Sequence, residues 1–214
     1  MSYRKPRVLD LFCKAGGAGY GYHLAGFDVV GVDIEPQPRY PFEFVQADAL
    51  RFPLDGFDLI HASPVCKGYS ATAVLNDIEH PRQVGAVRER LAASGVPYVI
   101  ENVEGAPLRD PVVLCGAMFP CLRTYRHRLF EASFPIPQPP EPEHRWPLAK
   151  MGRPPRVGEW IQVVGHFSDV AAAREAMEIP WMTRDELAQA IPPAYTRYVG
   201  LAALRYLAGS AAAA

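Results

Sequence analysis

The sequence predicts an α/β fold: a mostly parallel sheet covered by helices on both faces, with a small proline-rich insertion. Three observations predict it. Short apolar runs are continuous rather than alternating, as in strands buried on both faces. Helical spacing and glycine-rich turns separate those runs, the signature of strands alternating with helices. With 214 residues, 49% of them hydrophobic, the chain suits one domain with a sizeable core.

The first run, Val8-Leu9-Asp10-Leu11-Phe12, ends in the glycine-rich stretch Cys13 to Gly21, and a helix follows to Ala25. Val29-Val30-Gly31-Val32-Asp33 completes a strand, loop, helix, strand unit. Further strands are expected at Phe44–Ala47, Phe57–Ala62 and Val96–Ile100. Between the last two, Val84, Val87 and Leu91 recur at helical spacing, and Gly95 ends that helix.

Composition changes near Pro135, where Pro135, Pro137, Pro139, Pro140, Pro142 and Pro147 exclude both helix and central strand. The expected organisation is a catalytic domain over 1–130, an inserted loop or small subdomain over 131–168, and C-terminal helices over 169–208 that complete the domain. Thr183 and Glu186 form a capping box before Pro192-Pro193. A final helix runs roughly from Ala194 to Leu207, and 209–214 is expected to be a disordered tail.

The 22 basic and 23 acidic residues leave a net charge of −1, so nucleic-acid contact must come from a local patch. Cys13, Cys66, Cys115 and Cys121 show neither CxxC spacing nor the density of a disulfide framework, and a reducing cytoplasm is the expectation. No apolar run is long enough to span a membrane. Met1 to Arg7 is basic without the apolar stretch of a signal peptide.

The ligand-binding edge of such a sheet lies at the carboxyl ends of its strands. The loop from Phe12 to Gly19 lets backbone amides approach a ligand. Asp33 ends the second strand where an acid accepts from a ribose, and Asp48 could receive an adenine amino group. A nicotinamide cofactor fits that spacing too, but the loop lacks a clean G-x-G-x-x-G, which favours a different adenosyl cofactor. Cys66 sits in the loop after the fourth strand, where a thiolate could act as nucleophile. Glu101 ends the fifth strand, and shielding from water would raise its pKa and let it donate a proton at neutral pH.

Asp10-Leu11-Phe12 with Gly16-Gly17, Pro64-Val65-Cys66, and Glu101-Asn102-Val103 together resemble the cofactor loop, nucleophile loop and Glu-Asn-Val motif of the DNA cytosine-5 methyltransferases. Arg126-His127-Arg128 resembles that family's Arg-x-Arg pair, Arg174-Glu175 its late Arg-Glu element, and Ala190-Ile191-Pro192-Pro193 its closing motif. These matches keep the family's linear order from Leu9 to Gly200. The resemblance implies a Rossmann-like class I methyltransferase fold and S-adenosylmethionine as cofactor. It implies cofactor contacts from Asp10, Phe12, Cys13, Ala15, Gly16, Gly17, Asp33, Ile34, Asp48, Ala49 and Pro64. Cys66, Glu101, Arg126 and Arg128 would be catalytic, and Lys67, Ser70 and Asn102 would touch substrate, with no metal. The implied partner is DNA presenting a flipped cytosine to a monomeric enzyme of compact, phage-like type. A free cytosine nucleotide or RNA is the alternative substrate, and an inactive nucleic-acid-binding relative the alternative role.

Several positions depart from the family pattern. Lys14 replaces the first loop glycine, Val65 the second proline, Lys67 a glutamine, Thr124 the glutamine before the arginine pair, and Gln189 an asparagine. The family's target-recognition region is also cut to residues 129–168. That segment carries His144, Arg145, Trp146, Lys150, Arg153, Arg156 and Trp160, either a nucleic-acid contact surface or a proline-rich excursion with solvated cations. Cys115 and Cys121 read as structural thiols, and Cys13 as reaching a cofactor through its backbone only.

Overall fold

The computed structural model describes residues 4–65 and 83–213, so the expected roles of Cys66, Lys67 and Ser70 lie outside the described residues. The first unit is β1 (Arg7–Leu11), α1 (Gly17–Ala25) and β2 (Asp28–Asp33), followed by β3 (Glu43–Gln46) and β4 (Leu59–Ala62). Helix α2 (Val84–Ser94) then leads into β5 (Tyr98–Asn102), β6 (Val112–Leu114) and β7 (Arg128–Ala132). The chain closes with α3 (Val170–Met177), α4 (Arg184–Gln189) and α5 (Pro193–Ala213).

The strands form one sheet in the order β3-β2-β1-β4-β5-β7-β6. Strands β1 to β5 run parallel, while β7 is antiparallel to β5 and β6 antiparallel to β7. The order reverses between β1 and β4, which makes the crevice beyond their carboxyl ends the place for a ligand.

Residues alternate strictly between the two faces of the sheet. Val8, Val29, Leu59 and Val99 join Tyr22 of α1 and Tyr195 and Val199 of α5 in one core. Leu9, Leu11, Val32, Ile60 and Ile100 join Val87 and Leu91 of α2 in the other. A third cluster, from Ile161 to Ala190, packs α3 and α4 against Ala15 of the first loop. The buried Arg88 grips Glu131 at 2.6 and 2.7 Å and also donates to the carbonyl of Pro107, tying α2 to β7.

Three elements differ from the expectation. Strands β6 and β7 are additional, and β7 begins inside the predicted 1–130 domain and runs into the predicted insertion. The capping box of α4 forms as expected, with Thr183 and Glu186 bonded reciprocally. The expected disordered tail is instead helical, because α5 continues to Ala213. The alanines after Leu207 have the highest helix propensity of any residue and prolong the helix.

Candidate active site

The site is built on a row of polar side chains on the α1–α5 face of the sheet. Asp10 pairs in register with Gly31 on one side and His61 on the other. Because Gly31 has no Cβ, the ring of Tyr40 lies over it; a Cβ there would come within 2.3 Å of the ring. Tyr40 then donates its hydroxyl to Asp10 Oδ2 at 3.0 Å. Asp10 is fully buried, and burial pushes its carboxyl up to about 8 despite that bond. The carboxyl takes the Tyr40 hydroxyl and the Gly19 amide, tying β1 to the loop above it.

His61 is also fully buried, and burial alone pushes it down to about 3, leaving a neutral imidazole. Its Nδ1 lies 3.0 Å from the hydroxyl of Tyr22 and its Nε2 lies 2.8 Å from Ser63 Oγ. Ser63 in turn bonds the carboxyl of Glu101. One tautomer satisfies every partner: Tyr22 donates to Nδ1, Nε2 donates to Ser63, and Ser63 donates to Glu101.

Glu101 is the penultimate residue of β5, with only 5% of its surface exposed. Strand β7 runs antiparallel to β5, so Arg128, its first residue, stands at the same edge and places Nε 3.0 Å from Glu101 Oε1. Burial raises the Glu101 pKa, and Arg128, Ser63 and Arg126 pull against it. A carboxyl balanced in this way can hold a proton or a hydrogen-bond donor at the sheet edge.

Asn102 donates Nδ2 to the carbonyl of Pro64 at 2.9 Å and accepts the Val103 amide at Oδ1. It anchors the start of the loop that leads to Cys66. Arg126 was expected to be catalytic beside Arg128, but its guanidinium donates to the carbonyls of Val163 and Ala188. Tyr195 donates to its carbonyl at 2.6 Å. Arg126 thus clamps the C-terminal segments to the sheet, and its charge also acts on Glu101.

The residues expected to hold a cofactor gather at the carboxyl ends of β1, β2 and β3, with Pro64 just beyond the end of β4. Gly16 adopts φ 85° and caps α1, and a Cβ on Gly17 would meet the Ile191 carbonyl at 2.5 Å. Phe12 and Lys14 also hold positive φ, at 60° and 45°. Position 14 therefore adopts the conformation for which a glycine is the ready choice. Lys14 compensates by donating its amide to Asp33 at 3.1 Å and its ammonium to Glu35 at 2.7 Å.

Asp33 accepts the Lys14 and Glu35 amides, one on each oxygen, and its Oδ1 also faces the Lys14 ammonium at 3.7 Å. Ile34 is 67% exposed beside it. Asp48 is half-exposed and accepts the Leu50 amide. Cys13, Ala15 and Ala49 are buried and present only backbone to this edge; the carbonyls of Ala15 and Ala49 already accept from Trp181 and Arg90. The exposed Ile34 side chain and the two carboxylates of Asp33 and Asp48 suit an adenosine group, so the donor set fits S-adenosylmethionine.

The proline-rich segment divides between the two readings of its basic and aromatic residues. Trp160 is buried, Arg153 is held bidentately by Glu159, and Arg145 is paired to Glu143. Trp146 remains half-exposed. A cavity of about 940 Å³ lies against this segment, lined by Phe119, Arg123, Arg145, Trp146, Trp160 and Glu175. It includes none of Asp33, Asp48 or Glu101 and is separate from the site.

Sequence reading missed Tyr22, Tyr40, His61 and Ser63. Only His61 left a signal, as a polar residue inside the otherwise apolar run of β4.

Neither a protein-family model nor a curated protein matches the chain. Solved structures do. One, described as a DNA modification methyltransferase encoded within a prophage of E. coli, superposes with a TM-score of 0.66 at 14% identity, over 95% of this chain and 99% of that one. The Dnmt2 methyltransferase of S. pombe superposes with a TM-score of 0.61, also at 14% identity and with the same coverage. The chain has the α/β, Rossmann-like fold of these methyltransferases.

Proposed function

We propose that the protein methylates carbon 5 of cytosine in DNA, using S-adenosylmethionine, through a transient bond from Cys66 to carbon 6. The observation that carries this reading is the buried Glu101–Arg128 pair, at the sheet edge from which Asn102 anchors the loop leading to Cys66. S-adenosylmethionine supplies an electrophilic methyl group when bound. Asp33, Ile34, Asp48 and the Phe12–Gly17 loop would hold it.

Carbon 5 of cytosine is a poor nucleophile until a group adds to carbon 6, and the Cys66 thiolate makes that addition. Glu101 holds or protonates N3 while Arg128 donates to O2, stabilising charge that develops on the ring. Loss of the carbon 5 proton with expulsion of Cys66 restores the aromatic ring. A duplex cytosine must leave the stack to reach such a site.

One observation favours a second substrate within the same chemistry. The guanidiniums of Arg145 and Arg153 are matched by Glu143 and Glu159, which leaves less charge for a phosphate backbone and suits a free cytosine nucleotide. Transfer of labelled methyl to duplex DNA, single strands, RNA and mononucleotides, with Cys66→Ser alongside, tests both. Label on cytosine carbon 5 that disappears with Cys66→Ser supports the reaction and selects the substrate. Transfer that survives the substitution removes Cys66 from it.

A further inference from the structure

Cys115 follows β6 and His127 precedes β7, and the pairing of Leu114 with Arg128 brings these two positions together at the end of the sheet. His144 arrives from the proline-rich segment. Its ring stacks on Tyr125 with centroids 4.0 Å apart and lies 5.2 Å from the ring of His127. Cys115 Sγ and His144 Nε2 are 3.2 Å apart, and one donor atom from each of the three residues lies within 4.8 Å of the others. Cys115 is buried, His127 half-buried and His144 exposed. Among the described residues this is the one such convergence of sulfur and nitrogen donors from separate segments.

We propose that Cys115, His127 and His144 bind a divalent cation of the zinc class, which staples the proline-rich segment to the sheet edge carrying Arg128. A thiolate and two imidazoles are the donors a borderline-soft ion prefers, at about 2.3 Å to sulfur and about 2.0 Å to nitrogen. Around one tetrahedral ion such donors stand roughly 3.5 Å apart, near the observed sulfur–nitrogen separation. The exposed side of His144 leaves the fourth position to water. Gln138 bonds the backbone of Val113 in β6 and Tyr125 bonds the backbone of Trp146, and a metal at His144 would add a further fixed point between them. The inference uses none of the groups assigned to methyl transfer and stands independently of that reading.

Cobalt titration of the chelator-treated full chain tests it. One equivalent of Co(II) should produce a thiolate-to-cobalt charge-transfer band that Zn(II) displaces. Cys115→Ser should abolish the band, and His144→Ala should weaken binding at least about tenfold. Because His144 is exposed, that variant stays informative if Cys115→Ser misfolds. Cys66→Ser should leave the band intact. No thiolate band at one equivalent would mean that the thiol and imidazole only share a hydrogen bond. A band that survives both Cys115→Ser and His144→Ala would mean an adventitious ion, and either result overturns the proposal.

Discussion

Replacing Gly31 with alanine tests the polar row beneath the site at its tightest point. The new methyl would lie 2.3 Å from Tyr40 Cζ and 2.6 Å from its hydroxyl, too close for either to stay. Tyr40 has little room to retreat, since Gly16 stands at the other edge of its ring, where an added Cβ would come within 3.0 Å. Overpacking of this kind costs about 1–3 kcal/mol. Withdrawing the Tyr40 hydroxyl from the buried Asp10 adds about 1–3 kcal/mol for the partner left unsatisfied. The total, roughly 2–6 kcal/mol, corresponds to a fall in Tm of roughly 4–24 °C for a chain of this size. Urea and thermal unfolding would measure it, with Gly85→Ala as control, because a Cβ at Gly85 meets nothing within 4 Å. In a Tyr40→Ala background most of the Gly31→Ala cost should vanish, since the two share one contact. A Gly31→Ala protein within about 0.5 kcal/mol of the parent would refute the reasoning, as would a cost unchanged in the Tyr40→Ala background.

Three further outcomes follow from the site. Asp10 keeps its proton in the fold up to about pH 8 but loses it near 3.8 when unfolded, so its contribution is full at acid pH and declines as pH rises between those values. Asp10→Asn should flatten that decline in urea midpoints measured across the window. Arg128→Met leaves Glu101 buried without its cation and should destabilise the fold by about 3–5 kcal/mol at neutral pH, with less loss at acid pH where the carboxyl takes a proton; an equal loss at both pH values would contradict a buried charge as the cause. At position 14, where φ is 45°, Lys14→Gly exchanges a half-exposed ion pair for relief of strain and should move stability by less than about 1 kcal/mol, whereas the β-branched Lys14→Val should be less stable than Lys14→Gly by more than about 1 kcal/mol.

The parts of the site legible in the sequence are those at strand ends. Asp33, Asp48 and Glu101 each follow an apolar run, and parallel topology carries every such end to one edge. Gly16 was legible because a strand-to-helix turn demands its conformation. Residues whose meaning depends on a distant partner were not. Tyr40 matters because a glycine on the neighbouring strand leaves room for its ring, and His61 because Tyr22 and Ser63 close around it. Arg126 and Arg128 look equivalent in sequence, yet the carbonyls of Val163 and Ala188, 37 and 62 residues further on, draw the first away from the second. Strand β6 escaped notice because it has only three residues, and β7 because it mixes charged with apolar side chains, a pattern that antiparallel pairing near a sheet edge tolerates.

The packing of α5 against α1 bears on how the chain reaches this state. Thr196 donates to the carbonyl of Ala18, 178 residues earlier, and Gly21 and Gly200 let the two helices approach closely. During synthesis the first strands and α1 emerge long before their cover, leaving Tyr22, Phe27 and Val29 exposed in a partly assembled sheet. Closure between such distant segments is slow, and it leaves a sticky intermediate in the interval. Chains ending before Pro193 should therefore accumulate as aggregates, so the yield of native protein depends on how soon α5 arrives.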